Sequence, residues 1–145
     1  MQLSNEWFAT AENTDKGIVI IRGRLYIDSF RLSGLYTSRI EIQWLLNGDE
    51  KGMPTDTETE VIDRIMNLAC DALERSQTAI LTAVYTGAKQ IRYIFYATDI
   101  NSFVDKIQPL LNTCGTLPIR IGATIDKEWT AYTAMIAEQA IRGEN

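Results

Sequence analysis

The sequence predicts an α+β fold of 1–145 as a single domain. It divides into a split βαβ core over residues 36–125, an added N-terminal β-hairpin over 5–24 and a C-terminal helix over 127–142. Three observations carry that expectation. Between residues 36 and 125 the apolar period switches between two and 3.6, reading strand, helix, strand, strand, helix, strand. The period-two segments are rich in β-branched and aromatic residues, and Gly, Asn, Asp and Pro punctuate them. At 145 residues the chain has the length of one domain, which buries roughly two-thirds of its unfolded surface. That order of elements is the one found in ferredoxin-like folds.

Each element has its own signal. In "NEWFATAENTDKGIVIIRGR", Trp7, Ala9 and Ala11 alternate with Glu6, Phe8 and Thr10, and "NTDKG" turns the chain before Ile18–Ile21. "RLYIDSFRLSGLY" fits either a short strand or an irregular crossing. In "YTSRIEIQWLLN", Ile40, Ile42, Trp44 and Leu46 alternate with Arg39, Glu41 and Gln43. "GDEKGMPTDT" is a connection. The helix after it carries Val61, Ile62, Ile65, Met66, Leu68, Ala69, Ala72 and Leu73 on one wide stripe. "TAILTAVYTGAKQIRYIFYAT" reads as a second hairpin turning at "TGAK". Asp99 is placed to cap a helix bearing Phe103, Val104, Ile107 and Leu110, which Pro109 should kink or end. "LPIRIGATI" is the last strand, and a helix from about Lys127 carries Trp129, Tyr132, Ile136 and Ala140 in a stripe. Helices on one face of the sheet are expected to cover Ile40, Ile42, Trp44, Ile119 and Ile121. A plain antiparallel meander is the alternative topology.

Composition excludes several functions. Hydrophobic residues make up 46% and charged residues 23%, as in an ordinary soluble protein. No apolar run approaches the roughly 18 residues of a membrane span, and "MQLSNEWFATAEN" lacks the regions of a secretion signal. A cytoplasmic location is expected. The net charge of -5, with 14 scattered basic residues, argues against nucleic-acid binding. Histidine is absent, which removes the usual general base, the Ser-His and Cys-His pairs and the imidazole-containing zinc sites. Cys70 and Cys114 are too far apart for a CxxC motif and read as buried or half-buried thiols. "GIVIIRGR" lacks the spacing of a phosphate-binding loop. No catalytic residue, metal site or cofactor is expected.

Two constellations remain. Alternation puts Arg39, Glu41, Gln43, Arg92, Tyr96, Arg120 and Thr124 on strand faces opposite the apolar ones. They read either as a platform for an anionic ligand or an acidic partner segment, or as a solvated face whose charge pairs are each worth under about 1 kcal/mol. In "IDKEWTAY", Asp126 can accept hydrogen bonds from a first helical turn, Glu128 suits its positive end, and Trp129 and Tyr132 fall on a buried face. Residues two apart on a helix point about 200° apart, so Asp126 and Glu128 do not make a catalytic pair. As an exposed edge, the aromatic pair would instead suit a binding hot spot.

The segments "IRYIFYATDINSFVDKI" and "LPIRIGATIDKEWTAY" resemble the uncharacterised bacterial family catalogued as domain of unknown function 695. That family pairs a strand ending in Phe–Tyr (Phe95 and Tyr96) with an Asp-capped helix (Asp99). Its later strand closes on an acidic–Trp–x–x–Tyr signature, matching Asp126, Glu128, Trp129 and Tyr132. Trp7 and Pro54 also fit, whereas Ile100, Asn101 and Lys127 depart from the pattern. The family has no established activity. It is similar to a ferredoxin-like regulator of ribonuclease activity, which acts by binding the enzyme. The resemblance implies a protein-binding regulatory module. The missing catalytic apparatus, the open sheet face and the aromatic C-terminal segment together predict a non-enzymatic domain that binds a protein partner or a second copy of itself. The alternative is a small-molecule binder or enzyme acting on an anionic substrate through Arg92, Tyr96 and Arg120.

Overall fold

The alternating segments assemble into one antiparallel sheet, which helices cover on both faces rather than on one. The computed structural model describes the backbone of residues 1–143 and the side chains through residue 139. The hairpin is β1 (Trp7–Thr14) and β2 (Gly17–Arg24), and a short helix, α1 (Asp28–Leu32), leads to β3 (Ser38–Leu45). There follow α2 (Asp56–Arg75), β4 (Ala79–Gly87), β5 (Gln90–Ala97), α3 (Ile100–Asn112), β6 (Ile119–Ile125) and α4 (Thr130–Gly143). The strand order is β1-β2-β4-β5-β3-β6, and each neighbouring pair is antiparallel.

The first core lies beneath α2 and α3. Ile40, Ile42 and Trp44 of β3 and Ile91, Tyr93 and Phe95 of β5 meet Ile62, Ile65, Met66, Ala69 and Leu73 of α2, with Phe103 and Ile107 of α3. The opposite face carries a second core that the one-sided expectation missed. Ile27, Phe30 and Tyr36, in and around α1, pack with Ile80, Ala83, Ile94 and Tyr96 of the sheet and with Trp129 and Tyr132. Side-chain alternation did not reveal it because α1 is five residues long, too short to show a helical period. β6 is the second departure. Ile119 is partly buried, but Ile121 and Ile125 are 41% and 60% exposed, because this edge strand lies beyond the cover of the helices.

A bulge explains how β4 serves both cores. Leu81 pairs with Phe95 and Ala83 with Ile94, which leaves Thr82 as the extra residue. Its hydroxyl donates to the Ile94 carbonyl at 3.0 Å. The insertion changes the phase of the strand, so that Ile80 and Ala83 join the second core while Val84 joins the first.

Connections are fixed by caps and strained turns. Thr55 and Glu58 form a capping box for α2, and Glu58 also accepts from the backbone of Asn47 and Gly48, which ties the incoming loop to the helix. The Thr55 N–H leads the bonds that hold the Glu58 carboxyl below the ordinary range. Asp99 caps α3 as expected, but Pro109 does not end it. Both Pro109 and Asp105 are exposed, so the carbonyl left without its helical bond meets water. The hairpin turn places Ala88 and Lys89 at φ 56° and 60°, conformations usually given to Asn and Gly. Before them Gly87 sits at φ 144°, where a Cβ would lie 2.4 Å from the Ile18 carbonyl oxygen. Gly87→Ala is therefore expected to cost at least about 2 kcal/mol, from backbone strain plus a clash with backbone. Urea denaturation monitored by tryptophan fluorescence measures the difference.

Candidate functional site

The polar face of β3 organises the residues that alternation selected. Its register puts Gln43 between Arg92 of β5 and Arg120 of β6, Arg39 beside Thr124, and Glu41 beside Gly122. Arg92 Nε and Nη2 both donate to Glu41 Oε1, at 2.9 and 2.6 Å, and the guanidinium lies 5.0 Å from the Tyr85 ring centre. Gln43 donates to the Gln90 side chain in the same layer. Arg92 is thus engaged within the face and partly covered, so it is a poor candidate for free anion recognition. Arg120 is exposed and, among the described residues, makes no ion pair. Arg39 is half-buried and borders a cleft of about 10 Å³ with Tyr96 and Tyr132.

Tyr96 does not belong to this surface. It lies on the expected side of the sheet, but the segment leading into α4 covers it completely. Its ring stacks on Trp129 with centroids 4.2 Å apart, and its hydroxyl donates to Asp126 Oδ2 at 2.7 Å. The face expected to be open is therefore divided. Over most of β4 and β5 it is a core, and a polar strip remains on β3 and β6 with Arg92 of β5 at its border.

The "DKEW" segment makes that cover possible. It is a turn rather than the first turn of a helix, since α4 begins only at Thr130. The helical argument for separating Asp126 from Glu128 thus gives way to a simpler one: the Asp126 oxygens are already occupied. Oδ1 accepts from Thr130 N at 2.8 Å, and Oδ2 accepts from Ala131 N at 3.1 Å as well as from Tyr96. Burial would raise this carboxyl, but the bonds from Tyr96, Thr130 and Ala131 outweigh it and hold it below the ordinary range. Trp129 is fully buried at φ 57°, a conformation that is a genuine outlier for so bulky a residue. The surroundings fix it there. Its indole N–H donates to the Tyr36 carbonyl at 2.7 Å, and its ring meets Tyr132 edge-on at 5.5 Å. Tyr132 in turn donates to the Arg24 carbonyl at 2.5 Å.

The remaining motif residues lie apart. Glu128 is exposed in the turn, and the side chain of Ala140, expected on the α4 stripe, lies outside the described residues. Trp7 is on the α2 side, its ring 5.2 Å from the Arg22 guanidinium and 5.1 Å from that of Arg24. Arg24 is buried, and its guanidinium donates to Glu74 Oε2, the Leu81 carbonyl and the Ser4 carbonyl. Sequence reasoning missed Arg24 and Glu74, whose pairing joins positions 50 residues apart. Arg24 ends the run after Ile18–Ile21, and nothing local in the sequence signals a helix over it.

Fold and site define an α+β protein in which a polar strip borders an exposed edge strand. The chain belongs to the family described as Family of unknown function (DUF695), whose model matches residues 5–136. No curated protein matches the chain.

Trp129→Ala is expected to cost about 3–5 kcal/mol. Trp129→Phe should cost about 1–3 kcal/mol by leaving the Tyr36 carbonyl without its donor; thermal and urea denaturation compare them. The shifted ionisable groups give a second expectation. A carboxyl held low stabilises the fold above its unfolded value, near pH 4, and that contribution is lost as pH falls through the folded value. Asp126→Asn should therefore flatten the acid limb of the stability profile. Burial pushes the Tyr132 hydroxyl up to about 12 and raises Tyr96 further. Their contribution is complete below about pH 10 and fades above it. Denaturation across that range measures both limbs.

Proposed function

We propose that this chain is a non-enzymatic, cytoplasmic protein-binding module that receives an extended segment of its partner along β6. The observation that carries the reading is the state of that strand: seven residues at the sheet edge, exposed from Arg120 to Ile125, with two large isoleucines in the open. Edge strands offer rows of backbone donors and acceptors, and soluble proteins ordinarily shorten, charge or cover them. β6, "IRIGATI", has one charge and no proline. A partner strand laid against it satisfies the edge and buries Ile121 and Ile125, the mode of strand addition. Arg39, Glu41, Arg92 and Arg120 supply the polar rim that such interfaces carry. The clefts on this side hold about 10 and 220 Å³. Both fall below the roughly 300 Å³ of small-molecule sites, which favours a protein surface over an anionic substrate.

The same reading takes residues 36–125 as a ferredoxin-like split βαβ core. Its support is the strand order, since β5 lies between β3 and β4, which α2 joins, and β6 lies outside β3. By analogy with a ferredoxin-like regulator that binds a ribonuclease, the proposed class of partner is an enzyme restrained by occupation of its surface. A second copy of the chain fits the edge as well. Two β6 strands meeting antiparallel about Gly122 would set Ile121 opposite Ala123 and Arg120 opposite Thr124, with no like charges opposed.

Sedimentation velocity and affinity capture from native cell extract test the proposal together. The parent chain should either dimerise with concentration or retain a discrete protein. Ile125→Lys should weaken that association at least tenfold while changing stability by no more than about 0.5 kcal/mol, as befits an exposed position. Arg120→Glu should weaken it several-fold, and rising salt should weaken the parent's complex. Identical masses and identical captured proteins for parent and Ile125→Lys would overturn the reading.

A further inference from the structure

A sizeable concavity lies neither on the polar strip nor among the family-motif residues. It holds about 690 Å³ and opens between two hairpin turns and the loop from β3 to α2. That volume lies within the range of roughly 300–1,000 Å³ typical of small-molecule sites. Ile18, Ile20, Met53 and Ala88 make its wall predominantly apolar, and Ile18 is more than half exposed there. Three of the chain's five lysines, Lys16, Lys51 and Lys89, converge on it from turns far apart in sequence. One acidic residue, Glu50, lines it with them, so the rim carries a positive excess in a chain whose net charge is -5. None of the three lysines makes an ion pair among the described residues.

The walls are built before any ligand arrives. Asp49 Oδ1 accepts from Lys51 N and Met53 N, at 2.8 and 3.0 Å, and Asp49 N donates to the Met53 carbonyl at 2.7 Å. Lys89 N donates to the Gly52 carbonyl and Lys89 O accepts from Leu46 N, at 2.8 and 2.9 Å, which binds the strained turn to the loop. Such strain persists only where the surroundings hold it, and pre-formed walls lower the cost of ordering on binding. These bonds also decide the kind of anion. The N–H groups of Asp49, Lys51, Gly52 and Met53 are spent internally, which leaves no run of successive free N–H groups to cradle phosphate, and the cationic groups are ammonium ions rather than planar forks. We propose that this cavity binds a small amphipathic carboxylate, its apolar body against Ile18, Ile20 and Met53 and its head among Lys16, Lys51 and Lys89.

Calorimetric titration of the full chain with octanoate, and with 1-octanol as the neutral counterpart, tests this. Octanoate should bind one to one, and octanol at least tenfold more weakly. Lys51→Glu combined with Lys89→Glu should weaken octanoate at least tenfold and leave octanol unchanged, whereas Ile18→Asp should weaken both. Should Ile18→Asp fail to fold, the lysine pair decides, because exposed lysine heads contribute little to folding. The proposal is overturned by absence of saturable octanoate binding, by equal affinity for octanol, or by lysine variants that bind as the parent does. Binding confined to phosphatidylglycerol vesicles would also defeat it. The lysine variants should leave the association through β6 intact, so the two proposals fail separately.

Discussion

The carboxylate of Asp126 is the constraint on which the second half of the molecule depends. It accepts from the sheet through Tyr96 and from α4 through Thr130 and Ala131. One side chain therefore fixes both where the helix starts and how it sits on the strands. The geometry leaves Trp129 no ordinary backbone conformation, yet the stack on Tyr96 and the bond to the Tyr36 carbonyl reward the unusual one. Tyr132 then carries the connection to β2 through the Arg24 carbonyl. Beyond it, the Arg24 side chain reaches Glu74 on the other side of the sheet. A chain of polar bonds thus links the helix on one face to the helix on the opposite face.

Much of this was legible in the sequence, and the failures have specific causes. The period-two run through Ile40, Ile42 and Trp44 located β3 and its buried face, because alternation reports directly which side chains leave water. Asp126 was recognisable as a cap, and Trp129 and Tyr132 as buried, from residue type and spacing. The two-sided core was not legible, because Tyr96 alternates with the same phase whether water or an indole lies above it. The bulge at Thr82 has no clear single-sequence signal, since one threonine among apolar residues on both sides does not mark a change of phase. Burial of Ile121 was expected from its strand face, but position at the sheet edge overrode it. The lysine cavity did leave a trace: "DKG", "EKG" and "GAK" each place a lysine near a turn glycine. Only the pairing of strands brings those turns together.

The interior chemistry is correspondingly quiet. Burial pushes the Cys70 thiol up to about 12, with Glu74 adding to the effect, so it is no nucleophile at neutral pH. Burial likewise raises the Tyr93 hydroxyl. Among the described residues no three Cys, Asp or Glu side chains gather in a way that could hold a metal, and no helix is long and apolar enough to cross a membrane. Concave and exposed features sit instead at the margins of the sheet, where the hairpin turns meet and where β6 ends the strand order.

Chain order gives the turn at Asp126 a role in assembly. β4 and β5, with Ile80, Ile94 and Tyr96, are synthesised before Trp129 and Tyr132 exist. For that interval the nascent chain holds a broad apolar face with only α1 beside it, the type of surface that recruits chaperones or other nascent chains. The segment that ends the exposure brings its own latch, because the first residues after β6 are those that grip Tyr96. Arrival of β6 beside β3, a pairing between positions more than 70 residues apart, is thus the event that hides the face. A ribosome pausing before that strand would prolong the exposure of that face.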